Sequence, residues 1–490
     1  MKEELIREIV KDELSTLLKN KKIPMDFRND LFNSIILNTD GYKFSHYKQY
    51  PISVSYMNSY IESRGGRWNQ IIFYGLQMFI KEYLLNPITK EKIEYAKYWV
   101  ETYMPDIKFN EFMWNHILQK YGGKLPLKIE AVPEGTIMPT NQVLVQVRNT
   151  DNCCGSLTSY IETALLRAIW YPVAVATNSF MCKQIIKHYL EITGTPDTIE
   201  FRLHDFGARG VSSFESAGIG GSAHLLNFKG TDTTQGIYFA QKYYNAKEFP
   251  GFSIPAAEHS TITSWRDEER AYSNMVTQFG NSTYAVVIDS YDTFNAIDNI
   301  WSKFKDVLKD KKGCVVLRPD SGNPVAMATN CLEKMMYHFG YTVNAKGYRV
   351  LPDYIRMIYG DGIDEQSIGD ILRACTMQKI SADNISFGMG GALLQHLNRD
   401  TLRFAMKCSA VSDDGSNWKD VYKNPATDPN KKSKPGVLAL IQHSNGIYET
   451  IPVKDWNTVK YPNKLRTVFE NGDLLIDETF EEIRSRIIKN

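Results

Sequence analysis

The sequence predicts an α/β protein in which a barrel of sequential βα units is joined to an antiparallel unit. Three observations predict it. First, VVLRPDSG (315–322), YIRMIYGDG (354–362) and ISFGMGG (385–391) each run from an apolar strand into a polar, glycine-containing loop with a helical stretch behind it. Consecutive units of this kind imply a parallel sheet, because parallel neighbours need a crossover. Second, the span 166–399 holds 234 residues, close to the ~250 of an eight-unit barrel, which favours a barrel over an open sheet. Third, LKIEA (127–131) alternates apolar and polar and VLVQVRN (143–149) follows, as in antiparallel strands.

Taken in chain order, residues 1–30 read as a helical extension. Leu5, Ile9, Leu14, Leu17 and Leu18 line one face, and interspersed acids and bases are unlike a secretory signal. FYGLQMFIKEYLL (73–85) is helical in pattern and precedes the antiparallel strands. YAVVIDSYD (284–292) is a further strand that ends in acids. Leu332, Met335, Met336 and Phe339 form one helical stripe, and Ile368, Ile371, Leu372 and Cys375 form another. KNPATDPNKKSKPG (423–436) is a basic loop rich in turn residues.

Lys and Arg total 57 against 56 for Asp and Glu. That balance supplies no field to recruit nucleic acid or a membrane surface, so any anion site is local. Seven cysteines without a CxxC pattern point to reduced thiols and a cytoplasmic setting.

In parallel α/β sheets, ligands sit beyond the carboxyl ends of the strands. Those ends carry Asp289, Arg318, Asp320, Gly360, Asp361, Gly390 and Gly391, with Arg399 and Lys407 downstream. Carboxylates suit a hydrated Mg²⁺ or ribose hydroxyls. Glycines let backbone N–H groups approach phosphate, and arginine pairs with it bidentately. The pattern suits a phosphorylated sugar bearing additional phosphate. GMGG lacks the GK[ST] of a Walker loop, and no GxGxxG opens a βαβ unit. Two more segments hold polar residues among glycines: RLHDFGARGVSS (202–213), with Phe206 and Arg209, and NFKGTDT (227–233), with Asp232. In PAAEHSTITSW (255–265), Glu258 adjoins His259. An imidazole there serves as base, ligand or phosphoryl carrier, or only ties the loop together.

These segments, with TDGYKFSHYKQYP (39–51), YGDGID (359–364) and DPNKKSKPG (428–436), occur in the order seen in the nicotinamide phosphoribosyltransferases. The chain resembles that family over roughly residues 33 to 485. The resemblance implies a type II phosphoribosyltransferase fold: an irregular (β/α) barrel over 166–399 and a smaller α+β domain built from 31–165 with 400–490. It implies transfer of phosphoribosyl from phosphoribosyl pyrophosphate to nicotinamide in NAD salvage, by a homodimer with shared active sites. Mg²⁺ is the implied cofactor and ATP an optional co-substrate.

By the same resemblance, Phe206 stacks on one face of the pyridine and Tyr42 of the second subunit on the other. Asp232 accepts from the carboxamide, and Arg209 lies beside the ring. Arg318, Asp320, Gly360, Asp361, Gly390, Gly391 and Arg399 hold the ribose and its 5′-phosphate, and Asp40 belongs to the same substrate-binding set. His259, Arg318, Arg64 and Lys407 line the pyrophosphate side, with Lys423 and Lys431 near phosphates. Asp289 and Asp320 are the magnesium-side acids. His259 carries a phosphoryl group from ATP, oriented by Glu258 and Asp289. Ala208 departs from a tyrosine of animal relatives, and Ala285 and Met389 from serines. A nicotinate-preferring enzyme and a non-catalytic binding protein on the same scaffold are the alternatives.

Overall fold

The computed structural model describes residues 31–427, 432–456 and 461–488. The expected helix over 1–30 and Lys431 lie outside the described residues.

Six strands form a parallel sheet: β1 (Leu203–Asp205), β2 (Gly230–Thr231), β3 (Thr283–Val287), β4 (Cys314–Arg318), β5 (Ile355–Tyr359) and β6 (Ile385–Met389). Their order is β2-β1-β6-β5-β4-β3, with every neighbouring pair parallel. The two edges, β2 and β3, are joined by residues 252–256. Phe252 bridges Gly230 and Ala256 bridges Ala285, both in parallel sense. Thr231 N–H donates to the Phe252 carbonyl at 3.0 Å, and Ala285 N–H to that of Pro255 at 2.8 Å. The sheet therefore closes on itself.

The closed ring has six strands and this one segment, not the eight units that chain length suggested. The first part of the 166–399 span belongs to a 32-residue helix, Glu162–Thr193, which supplies no strand. Length alone cannot separate a long helix from a βα unit. Its middle, residues 172–180, is buried on every side, and the helix serves both halves of the molecule. Thr177 Oγ1 accepts from Ile72 N–H at 3.0 Å, and Asn178 Nδ2 donates to the Ala392 carbonyl at 3.0 Å. The expected boundary at 165/166 falls inside it.

The second sheet has seven strands. Its order is Lys419–Asp420, Phe404–Ser412, Tyr56–Ser63, Val143–Asn149, Leu127–Ala131, Arg466–Glu470 and Asp473–Leu474. The three strands from before the barrel thus form the centre of this sheet, and strands from after it flank them on both sides. Leu127–Ala131 buries every second residue, as its alternation predicts. The helical stripes are likewise inward. Pro324–Phe339 buries Leu332, Met335, Met336 and Phe339, and Glu365–Met377 buries Ile368, Ile371, Leu372 and Cys375. Asn323 and Asp364 cap these helices by accepting from Ala326 N–H at 3.0 Å and Ser367 N–H at 2.8 Å. The five-residue loops 319–323 and 360–364 therefore sit between strand end and helix start. All seven cysteines are free, and no helix among the described residues is long and apolar enough to cross a membrane.

Helices Phe214–His224 and Thr234–Tyr244 meet backbone to backbone at Gly221 and Gly236. A Cβ on Gly236 would stand 2.6 Å from the Gly221 carbonyl carbon. We expect Gly236→Ala to cost about 1–3 kcal/mol by overpacking, read as a lower chemical-denaturation midpoint; an unchanged midpoint contradicts this packing.

Candidate active site

The carboxyl ends of β3 and β4 bring an acid, a histidine and an arginine together. Asp289 lies two residues past β3, with its side chain only 5 % exposed. Its Oδ2 accepts from Ser321 Oγ at 2.7 Å. Its Oδ1 is buried without a hydrogen-bond partner and lies 3.8 Å from His259 Nε2. His259 opens the short helix His259–Thr263, and its Nδ1 is 3.2 Å from Ser290 Oγ. The expectation that Glu258 orients this imidazole fails. Glu258 instead accepts from the Ser260 hydroxyl. Consecutive side chains at a helix start diverge, so neighbours in sequence do not face each other. Ser290 and Asp289 face the ring instead.

Arg318 ends β4. Its Nη2 donates to the Ala257 carbonyl at 3.3 Å and stands 4.0 Å from Asp320 Oδ2, while its Nε is buried without a partner. Burial pushes the Asp320 carboxyl above the usual carboxylate range. Asp289 and Asp361 push the same way, whereas Arg318 and His259 oppose. Carboxylates that repel one another around an unpartnered buried oxygen fit a hard divalent cation. Asp289 and Asp320 are the residues that suit it. Gly360 leaves room beside them, since a Cβ there would come within 3.1 Å of Asp320 Oδ1.

The barrel mouth holds an aromatic ring over a cavity. Phe206 follows β1, and its N–H donates to the Met389 carbonyl at 2.9 Å. The ring crosses β6 where there is no side chain: a Cβ on Gly388 would stand 2.0 Å from it. Gly390 and Gly391 continue this bare edge. Below lies a cavity of about 380 Å³ lined by Phe206, Asp232, Ser253, Ala285, Arg318 and Ile358, among others. Asp232 sits just past β2. Its N–H donates to the Asp205 carbonyl at 2.9 Å, and its carboxylate accepts from Ser253 Oγ. Arg209 is exposed on the short turn Ala208–Gly210.

Asp205, Ser253, Ser290 and Ser321 were not among the expected site residues. Asp205 is fully buried, and burial first, then the Asp232 charge, pushes its carboxyl up to about 7. Its place at a strand end within LHDFG was the available signal, as were those of Ser290 in YAVVIDSYD and Ser321 in VVLRPDSG; Ser253 carried none.

A cationic group forms on the antiparallel sheet. Arg64 follows Tyr56–Ser63. Its Nε donates to Glu62 Oε1 at 2.8 Å, and its Nη2 is buried without a partner. Lys407 pairs in register with Tyr60. Burial lowers the Lys407 ammonium, Glu162 opposes this, and Arg64, Lys423 and Arg399 push it further down. Four cations therefore share one region, with too few acids to neutralise them. Lys423 is exposed, and Arg399 leans on Asp400 at 3.1 Å.

Tyr42 and Asp40 are not brought onto Phe206 within the chain. Asp40 accepts from Thr163 Oγ1 at 2.6 Å, which ties the turn Gly41–Lys48 to the long helix. The Tyr42 ring is 59 % exposed and contacts His46 at 4.8 Å.

A curated nicotinamide phosphoribosyltransferase from Xanthomonas campestris pv. campestris is 46% identical over 463 residues, 92% of this chain and 98% of that protein. The chain belongs to the nicotinamide phosphoribosyltransferase family. A second member, from Acinetobacter baylyi, is 30% identical over 94% of this chain and 98% of its own length. The family profile for the nicotinamide phosphoribosyltransferase N-terminal domain matches residues 34–129. That of the nicotinate phosphoribosyltransferase (NAPRTase) family matches 201–473. Among solved structures, nicotinate-nucleotide pyrophosphorylase from Pyrococcus furiosus superposes with a TM-score of 0.59 at 16% identity, covering 93% of this chain and 95% of that one. Human nicotinic acid phosphoribosyltransferase gives 0.55 at 15% identity, covering 92% and 93%. These two establish the fold. As a member of the nicotinamide phosphoribosyltransferase family, the chain is a pentosyl-transferring enzyme.

Gly388→Ala is expected to displace the Phe206 ring and lower phosphoribosyl transfer at least ~tenfold, since a near-ångström misplacement suffices for such losses. Steady-state rates and a crystal structure of the variant check this; full activity with an unmoved ring contradicts it.

Proposed function

We propose that the chain transfers the phosphoribosyl group of phosphoribosyl pyrophosphate to nicotinamide, giving nicotinamide mononucleotide and pyrophosphate. The observation that carries the reading is Asp232, a carboxylate at the wall of a cavity roofed by the Phe206 ring. A carboxylate accepts from a carboxamide N–H and repels the carboxylate of nicotinate, which disfavours the nicotinate alternative. The 46% identity to a protein of that name supports the same substrate.

The chemistry suits these residue types. The pyridine nitrogen already carries a lone pair, so no general base is needed. The barrier lies in departure of pyrophosphate from C1′ through an oxocarbenium-like ribose, and stabilisation is electrostatic. Arg318 Nε and Arg64 Nη2, both buried without partners, donate to departing phosphate oxygens, with Lys407 and Lys423 alongside. Gly360, Gly390, Gly391 and Arg399 cradle the ribose 5′-phosphate, Asp361 holds its hydroxyls, and Arg209 guards the rim. Mg²⁺, held by Asp289 and Asp320, supplies charge neutralisation to the diphosphate when bound. The pyridinium product is attracted to the aromatic face of Phe206 by about 0.5–2 kcal/mol.

The second aromatic face comes from the partner subunit's Tyr42 in a homodimer. The exposure of that ring within one chain supports this arrangement. ATP acts as an optional co-substrate. Its γ-phosphoryl moves to a ring nitrogen of His259 as the bond to ADP breaks, and water later returns the free imidazole and phosphate. The exposed imidazole beside an unpartnered Asp289 oxygen supports this role. Free thiols throughout support a reducing, cytoplasmic setting.

Asp232→Ser is expected to lower the preference for nicotinamide over nicotinate at least ~tenfold, measured by competition between the two pyridines; an unchanged ratio removes this role from Asp232. His259→Ala is expected to abolish ATP hydrolysis and to raise the KM for phosphoribosyl pyrophosphate about tenfold through loss of one charge-assisted contact. An intact ATPase in that variant ends the phosphocarrier reading.

A further inference from the structure

The aim of the Asp232 carboxylate rests on one other side chain. Asp232 is exposed on the loop past β2, and its backbone is fixed through the Asp205 carbonyl at 2.9 Å. Its side chain is not fixed by its own loop. Among the described residues, the one group that donates to it is the Ser253 hydroxyl, bound to Oδ1. The terminal torsion of an aspartate is broad and roughly two-fold, so without a holder the two oxygens interchange freely.

Ser253 itself stands on the closing segment 252–256, which is tied to both edge strands. On its N-terminal side, Phe252 N–H donates to the Lys229 carbonyl at 2.7 Å and the Phe252 carbonyl accepts from Thr231 at 3.0 Å. On its C-terminal side, the Pro255 carbonyl accepts from Ala285 at 2.8 Å, and Ala257 N–H donates to the Ala285 carbonyl at 2.9 Å. A Cβ on Gly251 would stand 2.5 Å from Leu225, so the segment is also pressed against the helix layer. The hydroxyl is thus delivered from backbone pinned to strands on both sides.

We propose that Ser253 is a specificity-determining positioning residue: its hydroxyl occupies Oδ1 of Asp232 and leaves Oδ2 as the acceptor for the carboxamide N–H of the pyridine substrate. This rests on the nicotinamide reading of the cavity. The carboxamide lies away from the bond that forms between the ring nitrogen and C1′. A contact there is made equally in the ground and transition states, so its loss raises KM and spares kcat. Ser253 is exposed, and removing its hydroxyl takes nothing from the core.

The test is steady-state kinetics of the full-length protein with nicotinamide and with nicotinate at saturating phosphoribosyl pyrophosphate, for wild type, Ser253→Ala and Ser253→Thr. Ser253→Ala is expected to raise the nicotinamide KM about tenfold, as for one hydrogen bond to a charged group, with kcat within about twofold. Nicotinate kcat/KM stays level, so discrimination falls by the same factor. Ser253→Thr, which keeps the hydroxyl, restores the KM. An unchanged nicotinamide KM in Ser253→Ala, a loss confined to kcat, or a failure of threonine to rescue overturns the proposal while leaving the function intact. A wild-type protein that turns over nicotinate but not nicotinamide overturns the substrate reading, and this inference with it.

Discussion

Closure of the parallel sheet through residues 252–256 is the constraint on which the site depends. Without the bridges at Phe252 and Ala256, β2 and β3 would be open edges, and the carboxyl ends of the strands would spread along a line. Closed, they ring one mouth. Asp232 after β2, Ser253 on the closing segment, Ala285 on β3 and Arg318 at the end of β4 become neighbours around a single cavity. The closing segment runs through a proline, which has no N–H to give. The ladder uses the Pro255 carbonyl instead and takes its donor from Ala285.

The site also divides charge. Acids gather past the ends of β3, β4 and β5, where burial, with Asp289 and Asp361 beside it, raises the proton affinity of Asp320. Cations gather at the antiparallel sheet, where burial, and then Arg64, Lys423 and Arg399, depress Lys407. Buried Arg318 Nε, Arg64 Nη2 and Asp289 Oδ1 have no hydrogen-bond partner among the described residues, and an unsatisfied buried polar atom costs roughly 1–3 kcal/mol. Under the proposed function, a ligand rich in oxygen and accompanied by a cation would recover that cost, the usual exchange of stability for function.

Much of this was legible beforehand where local chemistry and position coincide. Strand, glycine loop and helix recur at 315–322, 354–362 and 385–391, and a loop that must be short and polar names its own residues: Arg318, Asp320, Gly360, Asp361, Gly390. The apolar stripes of 324–339 and 365–377 face inward because a period of 3.6 leaves no other face to bury. Contacts between segments distant in sequence were not legible. Nothing in GFSIPAA says that it seals a barrel, or that its serine meets an aspartate twenty-one positions earlier. Nor does the adjacency of Glu258 and His259 say that their side chains part.

The sequence by itself determined the parallel grammar of the barrel half, the inward faces of its helices, the antiparallel alternation at 127–131 and the chemical types waiting at the strand ends. These follow from periodicities and turn chemistry, which act over a few residues. Tertiary structure alone decided that the ring holds six strands and one closing segment, and that a 32-residue helix is shared by both halves of the molecule. It alone decided that Asp289 and Ser290, not Glu258, face His259. Those outcomes depend on which distant surfaces bury one another, and a free energy summed over the whole chain is not written in any local stretch of it.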